Sequence, residues 1–125
     1  TSERVTVFPE GTTTNGKQLY HFHASLLQSA ITADALLYPV AIGYRKASGG
    51  VCEEAAYIDP SLWVSLQNIL SQPNIVAEVT FSQPIACGSK NRRELARLAE
   101  RAIADALSLP IPHKKTEKFS DLPAE

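Results

Sequence analysis

The feature that most limits how this sequence can fold is a repeated change in the spacing of its apolar residues. Alternating positions, such as Val5 and Val7, predict strands, whereas helical spacings, such as those of Leu95, Leu98 and Ala102, predict helices. In chain order the predicted elements are a strand at 4–8, a helix at 20–32, a strand at 36–44, a helix at 60–70, a strand at 75–81 and a helix at 95–107. Strands that alternate with helices are typical of an α/β layer. The predicted fold class is α/β of the three-layer type, with a largely parallel or mixed sheet flanked by amphipathic helices.

Prolines and capping residues set the predicted ends of these elements. Pro39 lies inside the second predicted strand and cannot donate to a ladder, which predicts an irregularity at that point. Asp59 followed by Pro60 is typical of an N-cap and a first helical position. Asn91 is the predicted cap of the last helix, with Ser89 as the alternative.

The composition favours one compact domain and excludes several classes of protein. With 125 residues and 44% hydrophobic content, the chain can bury its own core. A formal net charge of -1 produces no field that would attract nucleic acid, so no nucleic-acid partner is predicted. No apolar run reaches the roughly 18 residues of a membrane span, which predicts that this piece is soluble by itself. Residues 1–109 are the predicted domain, and the proline- and lysine-rich residues 110–125 are predicted to be an extended, mobile tail.

Two further features concern the cellular context and the upstream sequence. Cys52 and Cys87 have neither metal-binding nor disulfide-scaffold spacing, which predicts two buried thiols in a reducing cytoplasm. The chain contains no methionine and begins at Thr1, directly before a predicted strand. We therefore expect upstream sequence to be missing, with a processed N-terminus as the alternative.

A polar loop directly after the first predicted strand is the candidate binding site. Ligands of open α/β sheets collect beyond the carboxyl ends of the strands, which is where Phe8-Pro9-Glu10-Gly11-Thr12 falls. Glycine permits close approach of a substrate, the threonines offer hydroxyl groups, and the glutamate supplies a negative charge. Such a loop could hold a phosphate and orient a hydroxyl. On the residues alone, an ordinary turn explains the same pattern.

The sequence around this loop resembles a known enzyme family. The run from Val7 to Thr12, then Gly16, Phe22 and Tyr38-Pro39-Val40-Ala41-Ile42, is similar to the third and fourth conserved blocks of the lysophospholipid or 1-acylglycerol-3-phosphate acyltransferases, the PlsC-like family. The resemblance extends from about residue 4 to residue 107. It identifies the chain as the C-terminal part of such an acyltransferase domain.

The resemblance implies a reaction, partners and a location. A fatty acyl group would move from acyl-CoA or acyl carrier protein, as co-substrate and without a further cofactor, to the hydroxyl of a lysophospholipid such as lysophosphatidic acid. The enzyme would serve bacterial phospholipid biosynthesis at the cytoplasmic side of the inner membrane, attached through an upstream region. The residues that the resemblance assigns to acceptor binding are Phe8, Pro9, Glu10, Gly11, Thr12, Thr13, Thr14, Pro39 and Val40.

The resemblance also implies that the catalytic base lies outside this chain. In the family a histidine with an aspartate five positions later takes the proton of the acceptor hydroxyl. None of the three histidines has that partner, since the residues at this spacing after His21, His23 and His113 are Leu26, Gln28 and Lys118. No catalytic residue is therefore assigned within the chain, and we expect the chain to be inactive alone.

Two departures from the family pattern bear on the acceptor. Thr13 and Thr14 stand where the family usually has Arg-Ser, so one cation for a phosphate is missing. His23 stands where a lysine is common. Both departures favour a less anionic acceptor, such as a lyso-ornithine lipid. A non-catalytic α/β module that binds a lipid head group or a partner protein is the alternative function.

Three other patterns have ordinary structural interpretations. His21 and His23 are two residues apart and would point to different sides of a helix, so no metal site is predicted. The apolar residues of the second predicted helix, including Trp63, are predicted to form core and not a cofactor site. Eight of the twelve Lys and Arg residues lie between positions 90 and 118 and could contact an anionic bilayer, but the interleaved Glu94 and Glu100 favour a solvated helix face.

Overall fold

The computed structural model describes residues 3–57 and 61–111. A short 3-10 helix, Ala24–Leu27, continues into α1, and the remaining regular elements follow in mixed order. They are α1 (Gln28–Thr32), β1 (Leu36–Leu37), β2 (Val40–Lys46), a 3-10 turn (Glu53–Ala55), α2 (Leu62–Leu70), β3 (Ile75–Phe81), β4 (Ile85–Ala86) and α3 (Arg92–Leu107). The predicted α/β class is confirmed.

The strands pair in an antiparallel and not a parallel sense. β1 pairs with β4, β2 pairs with β3, and each sheet has two strands in the described part of the chain. The expectation of a largely parallel sheet was therefore wrong. A parallel pair needs a crossover helix packed on the sheet, whereas α2 between β2 and β3 contacts mainly the 3-10 turn. The break between β1 and β2 at Tyr38 and Pro39 confirms the irregularity that the proline predicts.

The sheet formed by β2 and β3 has one covered and one open face. On the covered face Ala41 is buried, and a side chain added at Gly43 would lie 3.4 Å from Leu107 of α3. On the opposite face, where cross-strand partners point the same way, four large apolar side chains are exposed: Ile42, Tyr44, Val79 and Phe81. Phe81, at 76% exposure, is the most open of them.

Helix α3 organises the core. Asn91 caps it, because its side-chain oxygen accepts from the Glu94 amide at 2.8 Å, so Asn91 and not Ser89 is the cap. Its buried apolar face packs against buried residues that precede and begin the first helix. These core residues are Leu19, Phe22, Leu27, Cys87, Leu95, Ala96, Ala99 and Ala104. The predicted burial of the two cysteines, both free, is confirmed.

The first two predicted elements required correction. Residues 4–8 form no strand, and Val5 is 84% exposed, because no strand in the described part of the chain lies beside them. The first helix begins at Ala24 and not at Tyr20. Residues 20–23, called here the anchor segment, are irregular because the amides of Tyr20, Phe22 and His23 donate to distant groups and not to carbonyls of a helical turn.

The second predicted helix is present but differs in its cap and its surroundings. Ser61 caps α2, with its hydroxyl accepting from the Val64 amide at 3.5 Å. Asp59 and Pro60 lie outside the described residues. The prediction that this helix forms core was wrong, since Trp63 is 67% exposed and Ser65 is the only fully buried residue among the nine of α2.

In residues 3–57 and 61–111 no helix is long and apolar enough to cross a membrane. The predicted tail at 110–125 falls almost entirely outside the described residues, which end at Ile111.

We expect the 125-residue chain, prepared on its own, to bind a hydrophobic dye such as 8-anilinonaphthalene sulfonate or to self-associate. The reason is the contiguous apolar face of Ile42, Tyr44, Val79 and Phe81. Dye fluorescence and light scattering would measure this. Replacing Val79 and Phe81 by threonine should reduce both signals while keeping strand propensity. Unchanged signals in that variant would assign the binding to another surface.

Candidate functional site

The five residues at the start of the candidate site contain a tight turn. We call residues 8–12 the FPEGT turn. The Gly11 amide donates to the Phe8 carbonyl at 3.2 Å, and Gly11 has a φ of 68°. That conformation is strained for residues with a Cβ. A Cβ at Gly11 would also lie 3.0 Å from the imidazole of His23, so glycine satisfies two requirements at once.

The FPEGT turn is fastened to the anchor segment at two points. The Pro9 carbonyl accepts from the His23 amide at 2.8 Å. One carboxylate oxygen of Glu10, Oε2, accepts from the Tyr20 amide at 3.0 Å. Partial burial raises the pKa of Glu10 above its ordinary value of 4.5, while the Tyr20 hydrogen bond opposes that shift. The glutamate therefore closes the loop that leads from the turn to the anchor segment.

The three threonines that follow have different surroundings. Thr13 donates its hydroxyl to the Tyr57 carbonyl at 2.5 Å, and Thr14 donates to the Gln18 carbonyl at 3.1 Å. The Thr14 hydroxyl also accepts from the Gly16 amide at 3.1 Å. Thr12 is exposed on the FPEGT turn itself. Two of the three predicted hydroxyl groups thus hold the loop together, and the third belongs to the exposed Thr12.

Pro39 and Val40 are fixed by the sheet and not by the FPEGT turn. The Pro39 carbonyl accepts from the Ser82 amide at 3.0 Å, and Val40 pairs with Phe81 in the antiparallel ladder. Pro39 is buried and Val40 partly buried. Their hydrogen bonds run to β3 and to Ser82 directly after it, and none of them joins these two predicted site residues to Glu10 or Gly11.

A buried charged cluster lies on the other side of the anchor segment. Glu100 of α3 has 0% exposure. Its Oε1 accepts from the Phe22 amide at 2.6 Å, and lies 3.0 Å from His21 Nδ1 and 3.2 Å from Arg97 Nη2. Arg97 also donates to the Phe22 carbonyl at 3.4 Å. The expectation that Glu100 belongs to a solvated helix face was therefore wrong.

The pairing of His21 with Glu100 has the chemistry of a carboxylate-oriented base, but its geometry does not favour that role. A general base needs a free ring nitrogen directed at the substrate. Arg97 Nη1 lies 3.2 Å from His21 Nε2 and also contacts Nδ1. A guanidinium has only donors, so it occupies the lone pair that a base would use. His21 therefore stabilises the packing of α3 on the anchor segment.

Sequence reasoning missed Glu100 and the contact between His23 and Gly11. A signal for the first was available, because Ala96, Glu100 and Ala104 share one face of α3 at spacings of four. A carboxylate in the middle of a small-residue row indicates burial. No local pattern indicates the contact between His23 and Gly11. That contact exists because residues 20–23 are not helical, contrary to their apolar spacing. Within the described residues no group of histidine, cysteine and acidic side chains could hold a metal.

The sequence comparisons place these features in a family. Residues 1–43 match the acyltransferase family model, a stretch that contains the FPEGT turn as well as Pro39 and Val40. A lyso-ornithine lipid O-acyltransferase of Pseudomonas aeruginosa is 39% identical over 102 residues, which cover 81% of this chain. The chain is related to the lysophospholipid acyltransferase family. No solved structure matches it significantly.

Two further relatives also match this chain over only part of their own length. The 1-acyl-sn-glycerol-3-phosphate acyltransferases of Neisseria gonorrhoeae and Neisseria meningitidis are each 35% identical over 79 residues, or 63% of this chain. The chain spans 39% of the Pseudomonas acyltransferase and 31% of each Neisseria protein. All three relatives come from bacteria, as the resemblance implied.

We expect Gly11→Ala to destabilise the chain by about 2 kcal/mol or more, since it combines a left-handed backbone with the His23 contact. Gly49→Ala is a matched control, because Gly49 has a φ of 94° and no atom within 4 Å of its Cβ position. That control should cost only about 1 kcal/mol. Urea denaturation would measure both. Equal losses would mean that His23 does not restrain the turn.

We expect Glu10→Gln to gain stability relative to the parent chain as the pH rises. Because the pKa of folded Glu10 is raised, its favourable contribution to the free energy of unfolding is complete below the unfolded pKa and is lost as the pH passes through the folded pKa. Glutamine carries no charge at any pH. Melting temperatures between about pH 4 and pH 7 would measure the difference. The same trend in Glu3→Gln, an exposed carboxylate, would assign the effect to net charge.

Proposed function

We propose that this chain is the acceptor-binding part of an acyltransferase that transfers a fatty acyl group to the hydroxyl of a lysophospholipid. The match of residues 1–43 to the acyltransferase family carries this proposal, because that stretch contains the whole FPEGT turn. The donor is a thioester, either acyl-CoA or acyl carrier protein. Glu10, Gly11 and Thr12 form the surface that meets the acceptor head group.

In this proposal the other parts of the reaction belong to residues outside the chain. His21 has its ring nitrogens engaged by Glu100 and Arg97, and the ring of His23 lies beside Gly11. Neither has the aspartate that the family places five positions later. The base, the thioester site and the membrane attachment at the cytoplasmic face of the inner membrane are therefore assigned elsewhere. The chain alone should not transfer acyl groups.

The charges around the FPEGT turn support lyso-ornithine lipid over lysophosphatidic acid as the acceptor. Lys17 forms an ion pair with Glu53, and Arg97 forms one with Glu100, so these two cations are already matched by carboxylates. The turn itself carries the carboxylate of Glu10. A head group with an amine can pair with that carboxylate, whereas a phosphate monoester would meet it without a compensating arginine. The match to the Pseudomonas lyso-ornithine lipid acyltransferase agrees with this choice.

One observation supports the second candidate, a non-catalytic α/β module. Glu10, Thr13 and Thr14 all accept or donate hydrogen bonds within the chain, as a scaffold would require. In such a module the FPEGT turn would only shape the loop. The two candidates differ in the role of the Glu10 charge. A scaffold needs only a hydrogen-bond acceptor for the Tyr20 amide, which a neutral side chain could also provide.

The test is Glu10→Gln in the complete protein, assayed with lyso-ornithine lipid and with lysophosphatidic acid. We expect activity to favour lyso-ornithine lipid, and kcat/KM for that acceptor to fall about 10- to 100-fold in the variant, the range of a lost charged hydrogen bond. The melting temperature near neutral pH should not fall. Glu3→Gln provides a control of equal charge change.

The outcomes separate the candidates. Full activity per folded molecule, whatever the melting temperature, would favour the scaffold role and contradict the site assignment of Glu10. No acyl transfer by the complete protein with either acceptor would contradict the enzyme proposal as a whole.

A further inference from the structure

We infer that Glu100 is a positioning residue for the FPEGT turn, acting through the anchor segment. This inference rests on the proposed function for its kinetic consequence, but its structural part stands on contacts alone. Glu100 is fully buried on α3, far along the chain from the turn. Its Oε1 meets a backbone amide, a histidine and an arginine at 2.6, 3.0 and 3.2 Å.

Glu100 determines where the anchor segment lies. Residues 20–23 have no helix or ladder to satisfy their amides. The Phe22 amide is bonded to Glu100, and the Phe22 carbonyl is bonded to Arg97, so both polar groups of this buried residue are held by α3. Charged hydrogen bonds are shorter and stronger than neutral ones. The segment is thereby fixed against the helix at one residue.

The position of the anchor segment in turn determines the position of the FPEGT turn. Tyr20 and His23 flank the residues that α3 holds, and their amides bond to Glu10 and to the Pro9 carbonyl at 3.0 and 2.8 Å. The His23 ring lies against Gly11. A displacement of the anchor segment would therefore move the two residues of the turn that carry the carboxylate and the glycine.

Stability alone does not explain a carboxylate at this position. Buried ion pairs often contribute no more stability than apolar side chains of similar volume. The second oxygen, Oε2, is buried without a hydrogen-bond partner among the described residues, which is itself unfavourable. Ala96 and Ala104, on the same face, are apolar. What Glu100 provides and an apolar residue cannot is a directed hydrogen bond to Phe22.

The experiment compares Glu100→Gln and Glu100→Leu in the complete protein with Glu94→Gln, an exposed glutamate of the same helix. We expect kcat/KM for the lysophospholipid acceptor to fall about 10- to 100-fold in both Glu100 variants, the effect of displacing a substrate-positioning group. KM for the thioester donor should not change. Glu100→Leu should melt lower than the parent protein, because the Phe22 amide loses its acceptor, so its activity is compared per folded molecule. The control variant should match the parent.

A second measurement does not depend on activity. Amide hydrogen exchange at Tyr20 and His23 should become about tenfold faster in Glu100→Gln, while exchange in β2 and β3 stays the same. A global loss of stability would accelerate all of these amides together. Should Glu100→Gln fail to fold, Arg97→Gln tests the hold of α3 on Phe22 through the Phe22 carbonyl, because the Arg97 side chain is 46% exposed and is not needed to fill the core.

Each outcome decides the inference. Unchanged exchange at Tyr20 and His23 would overturn it, as would activity that falls only in proportion to the folded fraction. Local acceleration of exchange, with a selective loss for the acceptor, supports it. If the parent protein transfers no acyl group, the proposed function fails, and the exchange measurement still decides whether Glu100 positions the turn.

Discussion

The hydrogen bond between the buried carboxylate of Glu100 and the Phe22 amide is the interaction on which the rest of the described structure depends. Phe22 is a core residue in a stretch with no regular structure, so its amide must be satisfied by a side chain or remain unpaired at a cost of about 1–3 kcal/mol. Glu100 supplies the acceptor, and Arg97, one turn earlier on α3, supplies the opposite charge. The burial of the Glu100 charge is thus tolerated because the same carboxylate satisfies the buried Phe22 amide.

Helix α3 consequently supports two different parts of the molecule. Its polar row, Arg97 and Glu100, holds the anchor segment and through it the FPEGT turn. Its C-terminal end meets the sheet, where Leu107 lies close to Gly43 of β2. The capped start at Asn91 and the left-handed residue Ser108 at its end limit the helix to the length that reaches both. The candidate site is therefore built on a rigid helix even though its own residues lie in a loop.

The parts of the fold that were predictable from sequence are those whose causes are local. The strand Ile75–Phe81 and the helix Arg92–Leu107, with its Asn91 cap, follow from apolar period and capping chemistry within the segment itself. The predicted strand at 4–8 failed because a strand also needs a neighbour, and alternation in Val5 and Val7 does not supply one. The parallel sheet failed for a related reason, since strand order and direction depend on where the connecting helix packs.

In the candidate site, too, the locally determined features were predictable and the long-range contacts were not. A tight turn at Gly11 could be predicted, because glycine after proline and glutamate is a local signal. The fastening of that turn could not, because it depends on amides that leave the predicted helix at 20–23 and on a carboxylate 78 positions away in sequence from Phe22. The burial of Glu100 itself could have been predicted, because it lies between Ala96 and Ala104 on the apolar face of the helix.

The roles of the polar side chains in the loop narrow what can contact an acceptor. Thr13 and Thr14 donate to carbonyls of the chain, and Lys17 is paired with Glu53, so these groups are committed to the loop itself. Thr12 and His23 are exposed at the turn, and Glu10 is partly buried there. A neutral side chain such as glutamine would accept the hydrogen bond of the Tyr20 amide without the desolvation of a charge that raises the pKa of Glu10. In the proposed function, the acid at this position offers its negative charge to the acceptor head group as well as to the loop.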